Sequence, residues 1–245
     1  VSVNGDKGYV LDINEKSTKP IGFTNHPIPI LSEKDDSIIY EMHIRDFTID
    51  ESSGVINDLR GTYLGTVEEN TIYKNPYNGK CVKTGIEHLC ELGITHVHLM
   101  PIFDFGSVDE RFPGSNNRNW GYDPKNFNVP EGSYCSNPYN PVTRILELRQ
   151  MIMKFHERGI RVVMDMVYNH MMSTVNMDNI VPGYYFRSDY LGRYTNGSGC
   201  GNELASERPM VRKFIIDSCL HWIRLNGVIR YRYYKRNCKE NNKIR

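Results

Sequence analysis

The sequence predicts an α/β fold built from the opening units of a parallel (β/α) barrel, and three observations predict it. Apolar, β-branched runs at 38–44, 94–100 and 160–164 have the length and composition of strands. Segments with helical spacing, 80–92 and 141–158, separate them, so the order is strand, helix, strand, as parallel sheets with crossover helices require. Polar residues gather where each strand ends, most clearly in Arg161-Val-Val-Met-Asp-Met-Val-Tyr-Asn-His170, where Asp165, Asn169 and His170 follow an apolar run without alternation. Such a run fits a strand buried on both faces, and the exit loops of such strands are where α/β folds carry their chemistry.

Taken in order, Val1–Asp12 reads as a short strand pair, and a loop rich in Pro, Lys, Asp and Ser leads on to Asp36 as a linker. Ser37–Phe47 is a strand closed by Arg45-Asp46, and 48–79 is a long loop with a turn or two. Lys80–Leu92 is the first helix, with Val82, Ile86 and Leu89 on one face and Gly93 as its cap. Ile94–Met100 is the second strand. Ile102–Tyr139 is a loop too long to be idle. Pro141 opens a helix to Arg158 that buries Ile145, Leu148, Ile152 and Phe155, and Gly159 ends it before the central strand. After a polar loop, Met171–Ala205, the residues Ser206 and Pro209 mark a helix with Val211, Phe214, Ile215, Cys219 and Trp222 as its buried stripe. A last strand follows at Val228–Tyr233.

Composition narrows the partners. The 245 residues are 39% hydrophobic and 24% charged, with a net charge of +1, so neither nucleic acid nor an anionic membrane is an expected partner. No apolar run approaches the roughly 20 residues of a membrane helix. Six scattered cysteines show no zinc-ligand spacing and read as mostly reduced thiols, with Cys90 and Cys219 on apolar helix faces. The compartment is left open.

Four segments together resemble the α-amylase superfamily of glycoside hydrolases, and more narrowly the type I pullulanases. They are Tyr40-Glu-Met-His-Ile-Arg-Asp-Phe47, Asn119-Trp-Gly-Tyr-Asp-Pro124 with Pro130-Glu-Gly-Ser-Tyr134, Asp165-Met-Val-Tyr-Asn-His170, and Gly201-Asn-Glu-Leu-Ala-Ser-Glu-Arg208 running on to Phe214. The resemblance implies a partial (β/α)8 TIM barrel comprising its first three to four βα units. Residues 1–36 would be the end of a preceding β-sandwich module and a linker, 37–229 the first half of the barrel, and 230–245 an aberrant basic tail.

The implied activity is retaining hydrolysis of α-1,6-glucosidic branch links in pullulan, amylopectin or glycogen-type glucans, with an α-glucan as the only partner and no protein partner. By resemblance, Tyr122 stacks on a sugar and His170 hydrogen-bonds it, while Asp165, Asn169 and Arg232 support the site. The bland alternatives are a loop aromatic packed under the strand ends, a histidine satisfied by a backbone carbonyl, and an aspartate capping its own loop. Trp120 and Asp123 are expected to shape the loop, and Arg45, Asp46, Glu131 and Glu207, charged residues at loop mouths, to be solvated or structural. No cofactor is required; a structural calcium stays open, although no dense run of oxygen ligands demands it.

One departure limits this expectation. Where the family has its nucleophilic aspartate, a gapless alignment of Val228-Ile-Arg-Tyr-Arg-Tyr-Tyr234 places Tyr234. The general acid has no counterpart either. The chain taken alone is therefore expected to be an inactive, truncated member of the family, and the alternative is a non-catalytic product with at most weak glucan binding.

Overall fold

The computed structural model describes residues 1–112, 118–226 and 230–233. Its centre is a four-stranded, all-parallel sheet in the order β1 (Ile39–Met42), β4 (His96–Leu99), β7 (Arg161–Met166) and β8 (Arg230–Tyr233). The elements between them are α1 (Ile44–Thr48), the hairpin β2 (Ile72–Lys74) and β3 (Cys81–Lys83), α2 (Gly85–Glu91), the pair β5 (Phe103–Phe105) and β6 (Pro124–Pro130), α3 (Pro141–Glu157), α4 (Val175–Asp178) and α5 (Pro209–Asn226). This is the partial α/β barrel that the sequence predicts. No described helix is long and apolar enough to cross a membrane.

Register explains the sheet's two faces. Val97, Leu99, Val162 and Met164 lie side by side in the parallel ladder, fully buried, and form one apolar layer. The opposite face carries the row Glu41, His98 and Val163, in which Val163 is only half-buried and Glu41 is exposed. The central strand is thus not equally buried on both faces, and the apolar run conceals a polar side.

Helix α3 starts where predicted. The Asn140 carboxamide oxygen accepts from the Val142 N–H at 3.0 Å and Pro141 occupies the first turn, while Gly159 takes φ 76° at the far end. Helix α5 buries Val211, Cys219 and Trp222, and the Trp222 indole N–H donates to the Phe127 carbonyl at 2.8 Å, joining α5 to β6.

Several expectations are corrected. Val1–Asp12 forms no strand pair, only a 3-10 turn at Val3–Gly5, and the rest of 1–36 adds three more such turns, of which Lys16–Thr18 and Phe23–Asn25 lie against α3. Arg149 donates to the carbonyls of Ile13 and Thr18, His26 meets His156 at 2.8 Å, and Arg161 donates to the Pro29 carbonyl. The first strand is four residues, because the chain turns helical at Ile44. The helix expected from Lys80 is the second, α2, and begins at Gly85: Cys81–Lys83 is a strand paired with β2, and Val82 is exposed. The 102–139 stretch is not structureless, since β5 and β6 pair within it.

Replacing Trp222 with Ala is expected to cost about 3–5 kcal/mol, from lost burial and the cavity left behind. Urea unfolding of Trp222→Ala checks this, and Trp222→Phe, which keeps most of the volume but leaves the Phe127 carbonyl without its donor, should fall between it and the parent.

Candidate functional site

The strand-exit loops bring three of the expected residues together. The Tyr122 hydroxyl donates to Asp165 Oδ2 at 2.8 Å, and His170 Nε2 donates to the Tyr122 carbonyl at 2.8 Å. Asp165 and His170 are buried, whereas Tyr122 is half-buried and packs against the core. The ladder between β7 and β8 sets Arg232 directly beside Asp165. Tyr234 lies outside the described residues. Asn169 is half-buried; its carbonyl accepts from the Leu204 N–H at 3.1 Å, and its side-chain oxygen has no hydrogen-bond partner among the described residues.

The loop carrying Tyr122 is held from inside itself. Asn119 accepts from the Gly121 N–H at 2.9 Å and donates to Asp123 at 2.7 Å. Gly121 has φ 86°, and a Cβ there would come within 2.8 Å of the Pro101 carbonyl, so only glycine serves. From below, His43 at the end of β1 reaches the Asn119 carbonyl at 2.8 Å and the Tyr134 hydroxyl at 3.0 Å. Because the Asp46 N–H donates to His43 Nδ1, the ring proton sits on Nε2 and points at that carbonyl. Trp120 is exposed on the same loop, with the Arg118 guanidinium over its ring. Burial lowers the pKa of both His43 and His170, only partly opposed by their backbone partners, so both are held neutral near pH 7.

Beneath the site lies a buried charge cluster. Asp104, Glu110 and Glu131 place carboxylate oxygens within 4.8 Å of one another, close enough that they could hold a metal ion. Their oxygens are already engaged. Arg144, fully buried, donates to Glu110 at 2.8 and 2.9 Å and lies 3.4 Å from Asp104, and Glu131 accepts from the Phe105 and Ser133 N–H groups. Arg144 supplies the positive charge that a metal would, so these residues fit a cation poorly. Glu131 thus takes the structural of the two roles expected of it, as a buried brace. Gly132 beside it leaves the space that Glu110 and Arg144 fill.

Two cavities flank this region. One of about 480 Å³ includes His43, Asn119, Tyr134 and Phe105 in its wall, and another of about 1080 Å³ runs along the open edge of β1 past Tyr40, Phe47 and Tyr73. Sequence reasoning did not single out His43, Arg144 or Asn202 as organisers of the site. His43, Asn119, Tyr134 and Asn202 all lie within the family-like motifs, but their bracing roles are visible only in three dimensions.

Residues 79–181 match the α-amylase catalytic-domain family. The chain is 45% identical to the pullulanase of Bacillus subtilis strain 168 over 95% of its own length and 31% of that protein. It is 36% identical to the chloroplastic isoamylase 3 of Oryza sativa subsp. japonica over 81% of its length and 25% of that protein. Superposition on the crystal structure of the Paenibacillus barengoltzii pullulanase, solved with maltohexaose and α-cyclodextrin, gives a TM-score of 0.88 at 46% identity, covering 95% of this chain and 35% of that one. The chain belongs to the α-amylase superfamily of glycoside hydrolases. Within that group it is similar to the type I pullulanases, and it spans about a third of the length of the pullulanases it matches.

The buried acids carry a pH signature. Burial, reinforced by Glu110 and opposed by Asn126 and Arg144, raises Asp104 to about 7; burial, with Asp104 and Glu110 adding to it, raises Glu131 to about 8. The folded chain thus keeps protons that the unfolded chain releases near pH ~4, so stability falls as pH rises from there toward 8. The buried histidines act in the opposite sense and only below pH ~6.5. Between pH 6.5 and 8 the urea midpoint is expected to drop, and Glu131→Gln, which cannot ionise, should flatten that drop while lowering the midpoint overall.

Proposed function

We propose that this chain supplies one wall of a glucose-binding subsite in a debranching glycoside hydrolase acting on α-1,6 links of pullulan, amylopectin or glycogen-type glucans with retention of configuration. The observation that carries the reading is the bonded set Tyr122, Asp165 and His170 at the carboxyl ends of the strands. A pyranose offers an apolar face and a rim of hydroxyls, so its binding wall needs an aromatic plate and directional donors. Tyr122 is the plate. Its hydroxyl is spent on Asp165, which fixes the ring's plane rather than leaving it to rotate toward solvent. His170 Nε2–H, shared here with the Tyr122 carbonyl, is the donor beside the plate. The maltohexaose and α-cyclodextrin bound by the Paenibacillus barengoltzii protein support a glucan as ligand.

Asp165 works as a positioning carboxylate in this reading, with Arg232 beside it in the ladder. Retaining hydrolysis takes a nucleophile and an acid with carboxyl groups about 5 Å apart, and those roles fall to groups other than Asp165. No cofactor enters the reading. A second reading, glucan binding without turnover, draws on the site itself: the Asp165 carboxylate is engaged by the Tyr122 hydroxyl and stands beside Arg232 in the ladder, so it holds the wall in place rather than reacting.

Reducing-sugar release from pullulan and calorimetric binding of maltotetraose decide between the two. Release together with binding supports the hydrolase, binding alone supports the second reading, and neither overturns both. Tyr122→Ala is expected to weaken maltotetraose binding about tenfold, roughly 1.4 kcal/mol, whereas Tyr122→Phe keeps the plate and should lose less.

A further inference from the structure

The side chain of Asn202 is buried at 4% exposure and is aimed at a single residue, Met171, which follows His170 in the chain. Its Oδ1 accepts from the Met171 N–H at 3.0 Å, and its Nδ2 donates to the Met171 carbonyl at 2.7 Å. Both backbone polar groups of Met171, itself buried, are thereby satisfied by one carboxamide from 31 positions away. Only an amide side chain offers a donor and an acceptor at that spacing; a carboxylate only accepts, and an apolar side chain leaves both groups stranded at a cost of about 1–3 kcal/mol each.

The surroundings show what this clamp holds. On one side of His170, the Leu204 N–H donates to the Asn169 carbonyl at 3.1 Å; on the other, the Met172 N–H donates to the Pro124 carbonyl at 2.9 Å. Those are backbone bonds that survive side-chain changes, and neither fixes Met171. Asn202 is itself anchored, because its carbonyl accepts from the Ser198 hydroxyl at 2.9 Å. The strand-like ribbon behind it is bonded at Arg187 N–H to the Glu203 carbonyl and at Ala205 N–H to the Tyr185 carbonyl. The loop 171–205 therefore returns a hydrogen-bonded ribbon to the end of β7, and the Asn202 side chain it carries bonds the backbone next to His170.

We propose that Asn202 is a positioning residue that holds His170 in place against Tyr122 by clamping both backbone groups of Met171. The proposal rests on the glucan-subsite reading for its consequence, since a displacement of about 1 Å at a binding group is enough to impair function. Its structural content does not depend on that reading.

The test compares the parent chain with Asn202→Ala and Asn202→Asp by three measurements: ring ¹⁵N resonances of His170, maltotetraose affinity and thermal melting. Asn202→Ala is expected to shift the His170 ring resonances and to weaken maltotetraose at least fivefold. Asn202→Asp, which still accepts from the Met171 N–H but cannot donate to its carbonyl, is expected to lie between parent and Ala on both readouts. Unchanged His170 resonances in Asn202→Ala overturn the proposal, including when the melting temperature falls, because a merely structural role lowers stability and leaves His170 where it was. Should Asn202→Ala not fold, parent-like His170 resonances in Asn202→Asp overturn it instead. A parent chain that binds no maltotetraose defeats the glucan reading alone, while the His170 resonances still decide the position of the ring.

Discussion

Arg144 lies fully buried between Glu110 and Asp104, with Glu131 adjoining, and the arrangement of the strand-exit side follows from it. A guanidinium taken out of water is tolerated only where carboxylates and hydrogen bonds meet it with good geometry. Arg144 sits on α3, Asp104 on β5, Glu110 in the loop after it, and Glu131 directly after β6. Joining them ties a 38-residue stretch, Ile102 to Tyr139, to a helix whose own position is set by the apolar layer of the sheet. With two of the three carboxyls raised toward neutral pH by burial, the cluster is a shared-proton, single-cation core rather than a stack of like charges.

That core is what allows the binding loop to be exact without being regular. β5 and β6 form its frame, Tyr134 rises from the Glu131 turn to meet His43, and His43 in turn holds the Asn119 carbonyl. The chain of contacts from Arg144 to Tyr122 therefore runs through packed aromatic rings and backbone carbonyls, with Tyr134 edge-on to Tyr63, Phe105 and His43. A tyrosine that must present a ring face to a sugar is in this way backed by buried structure, although the loop it belongs to contains the exposed Trp120.

The parts of the fold legible in the sequence were those whose burial is written in apolar periodicity. Ile145, Leu148, Ile152 and Phe155 announce α3, and Val211, Cys219 and Trp222 announce α5, because each stripe faces one continuous apolar layer. The β2–β3 hairpin escaped because most of its residues are exposed, so burial imposes no alternation on it; the Asn78-Gly79 pair at its turn, with Gly79 at φ 68°, was its available signal. In the site, Tyr122, Asp165 and His170 were legible through their motifs. Asn202 lay within the Gly201–Arg208 motif, but its role was not legible, since its partners are backbone groups that no residue type advertises. Arg144 and Arg149 were passed over because a charged residue on a helix defaults to solvent, and here the carboxyl cluster covers the first and the N-terminal turns cover the second.

The way those N-terminal turns are attached bears on the order in which the molecule assembles. Asn4 bonds to Glu110 across 106 positions, and Arg149 reaches Ile13 and Thr18 across more than 130. Such contacts repay their loop-closure entropy only once α3 and the β5–β6 pair already exist as a surface to land on. The segment contributes almost no regular hydrogen-bonded structure of its own, so it has little to preserve it when detached. It belongs to the last cooperative unit to dock and the first to lift, which makes the opening of the chain the natural point from which the molecule frays, with the parallel sheet behind it still intact.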